Sequence, residues 1–220
     1  MIKGFIFDMD GTLVDNLDYH FIAFDKFIKQ HNFTLIEPFD LRLNGLRGDE
    51  IFRRILEPSI LERYTTDELT DMKEATYREV YSGHVKPIEG LMNLLQEAHA
   101  RGIRCAIGSS GCRENVDFII RESGIEEFIN ASVGGEEARR GKPAPDIFLQ
   151  CAEKMGLKPE ECIVFEDALM GIQAGLAAGM KTVAITTTTS ADALREAGAH
   201  YIIDNYCGVT VDSLANKLGL

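Results

Sequence analysis

The chain has 220 residues, 45 % of them apolar, with 35 acidic against 23 basic side chains and a net charge of −12. That is material for one large domain, or one domain with an insert. The charge repels phosphate backbones and anionic lipid, which excludes nucleic-acid and membrane-surface partners and leaves any small anionic ligand to be met locally, by a few cations or a metal. The five cysteines are odd in number and form no C-x-x-C pair. Cys105, Cys151 and Cys162 lie in apolar runs and read as small core residues, a usage that suits a reducing, cytoplasmic location. The N-terminal run is broken early by Asp8 and does not read as a signal peptide. No apolar stretch approaches the roughly 18 residues of a membrane span.

In chain order, the first element is "IKGFIF", an apolar run that ends abruptly at Asp8, with Asp10 and Gly11 close behind. Runs this short, bounded by charged residues, suit strands buried on both faces of a parallel sheet. From about Asn16 to Gly83 no strong strand is found. Leu17, Phe21, Phe24, Phe27 and Ile28 make one amphipathic helical pattern. Ile51, Ile55 and Leu56 suggest a second, and Leu69, Met72, Tyr77, Val80 and Tyr81 a third. From Ile88 the apolar positions step at helical spacing to Ala98, with Pro87 as the expected opener and Gly102 as the stop. "RCAIGSS" is a strand running into Ser109, Ser110 and Gly111. Helices are expected over 146–155 and 167–178. In the latter, Gly171, Gly175 and Gly179 would let it pack close to the sheet. "CIVFED", "KTVAIT" and "HYIID" complete the strands, and "TTTTS" at 186–190 reads as a polar loop without chemistry.

Strand–helix alternation predicts a doubly wound, Rossmann-like α/β core with a parallel sheet, built from 1–15 and 84–220, and a helical cap inserted at 16–83. In such sheets ligands bind beyond the carboxyl ends of the strands, where a lid can exclude water and select substrate.

The chemistry-bearing residues fall at those strand ends. Residues two apart in extended chain point the same way, so Asp8 and Asp10 project side by side. Such a pair is either an ordinary strand-to-turn boundary or a site, and as a site it calls for a hard cation such as Mg²⁺ to offset the repulsion. Ser109 and Ser110 bring hydroxyls and backbone N–H groups to a second strand end, where an anion can sit. Lys142, stiffened by the two prolines of "GKPAPD", is a point charge suited to phosphate. Glu166 and Asp167 end a further buried strand in acids, which is what a Mg²⁺ site needs.

Together these four segments resemble the haloacid dehalogenase-type phosphatases, in the subgroup with a helical cap after the first strand. D-x-D-G-T at 8–12, Ser109, Lys142 in G-K-P-x-P-D, and Glu166-Asp167 with "GIQAGLAAG" match the four motifs of that superfamily in order, over essentially the full length. The resemblance implies that Asp8 is the nucleophile, forming an aspartyl-phosphate, and that Asp10 is the general acid and base. It implies Mg²⁺ held by the Asp8 carboxylate, the Asp10 backbone carbonyl and Asp167, with Glu166 in or near the shell. Ser109 and Lys142 would hold the phosphoryl oxygens, with Ser110 beside them.

Within the subgroup the chain is similar to β-phosphoglucomutase and its phosphatase cousins, notably in "DYHFIAF", which carries His20. It departs in the cap loop "NGLRGDE", where Arg47 is displaced by one position, near Thr76, where the mutases carry a cap lysine, and at Asn16. The reading is therefore a Mg²⁺-dependent phosphatase of a small phosphorylated metabolite, with a phosphosugar mutase as the alternative. A non-catalytic phospho-binding protein on the same fold ranks behind both, because Asp8, Asp10, Lys142 and Asp167 are all present. A monomer or weak homodimer is expected.

Overall fold

A computed structural model describes residues 2–39 and 48–220, with only the backbone of Gly48 and Asp49. Arg47 thus lies outside the described residues. In chain order, β1 (Gly4–Phe7) is followed by four helices, α1 (Leu17–His31), α2 (Gly48–Ile55), α3 (Pro58–Leu61) and α4 (Thr66–Tyr81). The chain then runs α5 (Leu91–Ala100), β2 (Arg104–Gly108), α6 (Arg113–Ser123), β3 (Ile129–Val133), α7 (Asp146–Lys154) and β4 (Cys162–Glu166). It ends with α8 (Leu169–Ala177), β5 (Lys181–Ile185), α9 (Ala191–Glu196), β6 (Tyr201–Ile203) and α10 (Val211–Leu218). Residues up to Asp15 with Val85–Leu220 form one compact unit, and Asn16–His84 form another.

In the first unit the six strands make one sheet, ordered β3-β2-β1-β4-β5-β6, with every pairing parallel. The expected doubly wound core is borne out. Phe7 is level with Ile107 on one side and Phe165 on the other. The residues just past these three therefore emerge along one edge, where the winding changes direction and such sheets bind ligands. β1 and β4 are buried along their whole length, as their unbroken apolar runs require.

The two glycines within α8 pack as expected. A Cβ on Gly175 would lie 2.7 Å from Thr182 Cγ2, and one on Gly171 would collide with the Glu166 carboxylate. Gly179 differs. It has φ of 74° and open space around it, so it ends the helix and does not pack. Pro87 is not a helix opener either. It bridges to Val14, Ile88 N–H donates to Leu13 O at 2.9 Å, and the helix starts only at Leu91. Those residues re-enter the sheet unit beside 13–14, and that pairing overrides the helical preference. β3 had no sequence signal because "INASV" is an edge strand, exposed enough to carry Asn and Ser.

The second unit closes on its own aromatic core of Phe24, Phe27, Phe33, Phe52, Ile55 and Leu69. The three expected helical patterns are α1, α2 and α4, and α4 starts in a capping box between Thr65 and Glu68. Asn16 takes the N-cap position of α1 but does not cap it. Its amide donates instead to the Tyr77 hydroxyl on α4 at 2.5 Å, which ties the first helix to the last. No described helix is long and apolar enough to cross a membrane.

Candidate active site

Past Phe7 the chain folds back on itself. Met9 O accepts from the N–H groups of Thr12, Leu13 and Val14, and Gly11 N–H donates to Val14 O at 2.8 Å. Gly11 is required twice over in this loop. Its φ is 76°, and a Cβ there would stand 2.2 Å from an Asp167 carboxylate oxygen. The tight loop lets β1 and β4 present their acids to one another. Asp8, Glu166 and Asp167, all buried, place carboxylate oxygens within 4.8 Å of one another.

Lys142 enters this cluster from the loop before α7. Its ammonium donates to Asp8 Oδ1 at 2.5 Å and to Glu166 Oε1 at 2.6 Å, and lies 4.8 Å from the centroid of the Phe148 ring. Pro145 takes the N-cap position of α7 and fixes the approach, and Arg140 pairs with Asp146 across the loop at 2.8 Å. The other Glu166 oxygen accepts from Ala168 N–H at 2.8 Å.

The electrostatics are unbalanced. Burial and the neighbouring carboxylates Glu166, Asp167 and Asp10 hold Asp8 well above the usual carboxylate range, despite Lys142. Burial and Glu166 push Asp167 up to about 7. Burial alone would pull Lys142 down, but the charges of Asp8 and Glu166 outweigh it and raise it. Three carboxylates share one ammonium in a buried pocket, so fully ionised they would carry two uncompensated negative charges, and Asp8 and Asp167 hold protons more readily as a result. The donors are hard oxygens, so a divalent cation such as Mg²⁺ fits both the charge and the chemistry. Asp10 contributes no carboxylate to this cluster. The part expected of it there was its backbone carbonyl.

Ser109 continues β2, is 1 % exposed, and accepts the Gly111 N–H on its hydroxyl oxygen at 2.9 Å. That bond occupies a lone pair and leaves the hydroxyl proton free to turn towards an anion. Ser110 is exposed beside it. Asp8, Ser109, Lys142, Glu166 and Asp167 are thus held along the carboxyl edge of adjoining strands, and Asp10 follows in the loop after β1.

The structure adds residues that the sequence reading passed over. Both Asp167 oxygens are held by hydroxyls, one by Thr12 at 3.3 Å and the other by Thr188. Thr187 donates to Gly11 O. The "TTTTS" loop therefore braces both the loop after β1 and a candidate metal ligand. Its position after a strand's carboxyl end was the available signal. Tyr206 lies under the site against Phe7 and Phe165 and donates to Thr12 O at 3.0 Å. Nothing local in "DNYCG" points to that role.

In the helical unit, His20 stacks on Tyr77 at 4.0 Å between centroids, with its Nδ1 2.9 Å from the Lys73 ammonium. Lys73 lies one helical turn before Thr76, and its ammonium is also bonded to Glu74 at 2.9 Å.

The chain matches the haloacid dehalogenase-like hydrolase family over residues 5–185. Among curated relatives, the fructose-1-phosphate phosphatase YqaB of Escherichia coli is 32 % identical over 182 residues, covering 82 % of this chain and 94 % of that protein. The β-phosphoglucomutase of Bacillus subtilis is 31 % identical over 190 residues, covering 84 % and 83 %. In fold, the chain is similar to CbbY from Rhodobacter sphaeroides in complex with phosphate, with a TM-score of 0.82, 22 % identity and full coverage of both chains. The motifs, the strand order and these relatives agree, and the chain belongs to the haloacid dehalogenase-like hydrolases.

Proposed function

We propose that the protein is a Mg²⁺-dependent phosphatase of a small phosphomonoester, most simply a sugar phosphate. The buried cluster of Asp8, Glu166 and Asp167 around Lys142 carries this reading, because its excess negative charge suits a divalent cation beside a carboxylate nucleophile. Asp8 attacks phosphorus in line, the bond to the leaving oxygen breaks, and a phosphoryl group is left on the Asp8 carboxylate. Asp10 gives its proton to the leaving oxygen. It then takes one from the water that cleaves the acyl-phosphate, which restores Asp8 and frees inorganic phosphate. Ser109 and Lys142 hold phosphoryl oxygens through both steps. Mg²⁺, held by Asp8, Asp167, the Asp10 carbonyl and Glu166 directly or through water, would neutralise charge on the transferring group. The helical unit, residues 16–84, acts as the cap that selects substrate, with His20 and Arg47 as its candidate contacts.

The Lys73–His20 pair favours a second reading. A mutase must grip a bisphosphate by its distal phosphate, and Lys73 supplies a cation on the helical unit. One assay separates the two readings. A panel of phosphorylated metabolites should release phosphate with Mg²⁺ and fall to background with a chelator, whereas β-glucose 1-phosphate with a bisphosphate primer should give no glucose 6-phosphate. Turnover that survives chelation removes the metal assignment, and glucose 6-phosphate as main product makes the mutase the function.

Asp10→Ala should lower kcat by at least about 10²-fold, the usual contribution of a positioned acid and base. The loss should be smaller for a substrate with an acidic leaving group, such as an aryl phosphate, which needs no proton. Equal losses on aryl and alkyl phosphates would take the proton-transfer role away from Asp10.

A further inference from the structure

The segment "GGEEARR", between β3 and Lys142, has no part in the chemistry above, yet it is bonded to the loop that carries Ser109. Gly135 N–H donates to Gly111 O at 2.8 Å, and the backbones there are so close that a Cβ on Gly135 would lie 2.3 Å from Ser110 O. The same short turn is fixed from behind by Glu137. Its carboxylate accepts from Gly134 N–H at 2.9 Å and pairs with Lys154 at 2.8 Å and with the Arg113 guanidinium. Arg113 begins the helix that leaves the Ser109 loop. Its own N–H donates to Glu136 at 2.7 Å, and its guanidinium reaches the Ser132 hydroxyl at 2.7 Å. One carboxylate thus joins the Gly134–Gly135 turn to the start of the helix that follows the Ser109–Gly111 loop.

We infer that Glu137 is a positioning residue for phosphoryl binding. It locks the Gly134–Gly135 turn against Ser110 and Gly111, and so sets where the Ser109 hydroxyl and the loop N–H groups point. Its ion pairs are about a third exposed, and pairs of that kind add little to stability. Their consequence lies in geometry, because oxyanion donors act only when held in place. The chain that continues from Glu137 then runs on to Lys142.

The inference rests on the phosphatase reading for the identity of the ligand, and the test keeps the two apart. The affinity of the Mg²⁺-loaded full chain for inorganic phosphate is measured by calorimetry, beside kcat and KM on an aryl phosphate and cooperative thermal unfolding. Glu137→Ala should weaken phosphate binding about tenfold, as expected for a lost charged hydrogen-bond anchor, and raise KM with a smaller change in kcat. Glu137→Gln, which keeps an acceptor for Gly134 but loses the charge, should fall between. Phosphate affinity within twofold of the unaltered chain in Glu137→Ala overturns the inference, whatever happens to the melting temperature. A native protein that binds phosphate but turns over no phosphomonoester would instead overturn the phosphatase reading and leave the effect of Glu137 on binding intact.

Discussion

Asp8→Asn is expected to abolish phosphate release, by at least about 10⁴-fold, while leaving the fold intact or slightly firmer. The first half follows from the proposed chemistry, in which a neutral amide cannot form the acyl-phosphate; losses of this size accompany removal of a nucleophile that works as part of a unit. The second half follows from the electrostatics. Burial and three neighbouring carboxylates already hold Asp8 far above the usual carboxylate range, so its charge is a cost to the folded chain. An isosteric amide removes that charge and leaves Lys142 paired with Glu166 at 2.6 Å. Steady-state turnover with thermal unfolding of the same preparation tests both halves. Residual turnover near the native rate would remove Asp8 as nucleophile, and a large drop in melting temperature would contradict the reading of its charge.

Lys142→Met is expected to give the largest loss of stability from a single substitution in the site. Lys142 is the only cation paired with the buried cluster among the described residues, and its side chain is 7 % exposed. Removing one partner from a buried ionic group typically costs about 3–5 kcal/mol, because the remaining charges stay buried and unpaired. The loss should depend on pH in a definite direction. Asp167 titrates at about 7 in the folded chain, above its ordinary 3.8, so the folded state holds a proton there that the unfolded chain has already released. Its contribution to stability is therefore full below about pH 4 and is lost as pH rises through 7. Removing Lys142 takes away a charge that lowers Asp8 and Asp167, so both should hold protons to still higher pH. The variant should thus be least stable above pH 7, recover towards pH 5, and gain more than the native chain from millimolar Mg²⁺. Denaturant titrations at pH 5 and 8, with and without Mg²⁺, measure this. A loss independent of both pH and Mg²⁺ would mean that Lys142 serves packing against Phe148 and not charge.

Much of the site was legible because its residues sit at punctuation marks in the chain. Asp8, Ser109 and Glu166-Asp167 each follow an apolar run that stops abruptly, and although one such end is an ordinary turn boundary, several carrying complementary groups point to a shared site. Lys142 was marked by the prolines behind it. The bracing residues had no such mark. Thr187 and Thr188 lie in a polar loop of a kind found on any surface, and their partners Gly11 and Asp167 are far away in sequence. The contact of Lys73 with His20 had no mark either, because it joins two helices far apart in the chain. β3 was missed since an edge strand does not need the apolar run that identifies its neighbours.

The sequence by itself pointed to every strand but β3, to the parallel sheet, to a helical insert and to the groups at the strand ends. These follow from local periodicity and from where apolar runs stop, which a linear reading can see. The tertiary structure alone decided that Lys142 shares its ammonium between Asp8 and Glu166, that hydroxyls from two loops hold Asp167, and that Glu137 joins Gly134 to Arg113. Such contacts join residues up to 155 positions apart. They depend on strand order and on a register that brings Phe7 level with Ile107 and Phe165. That register is fixed by packing of the whole sheet, and no local run of residues encodes it.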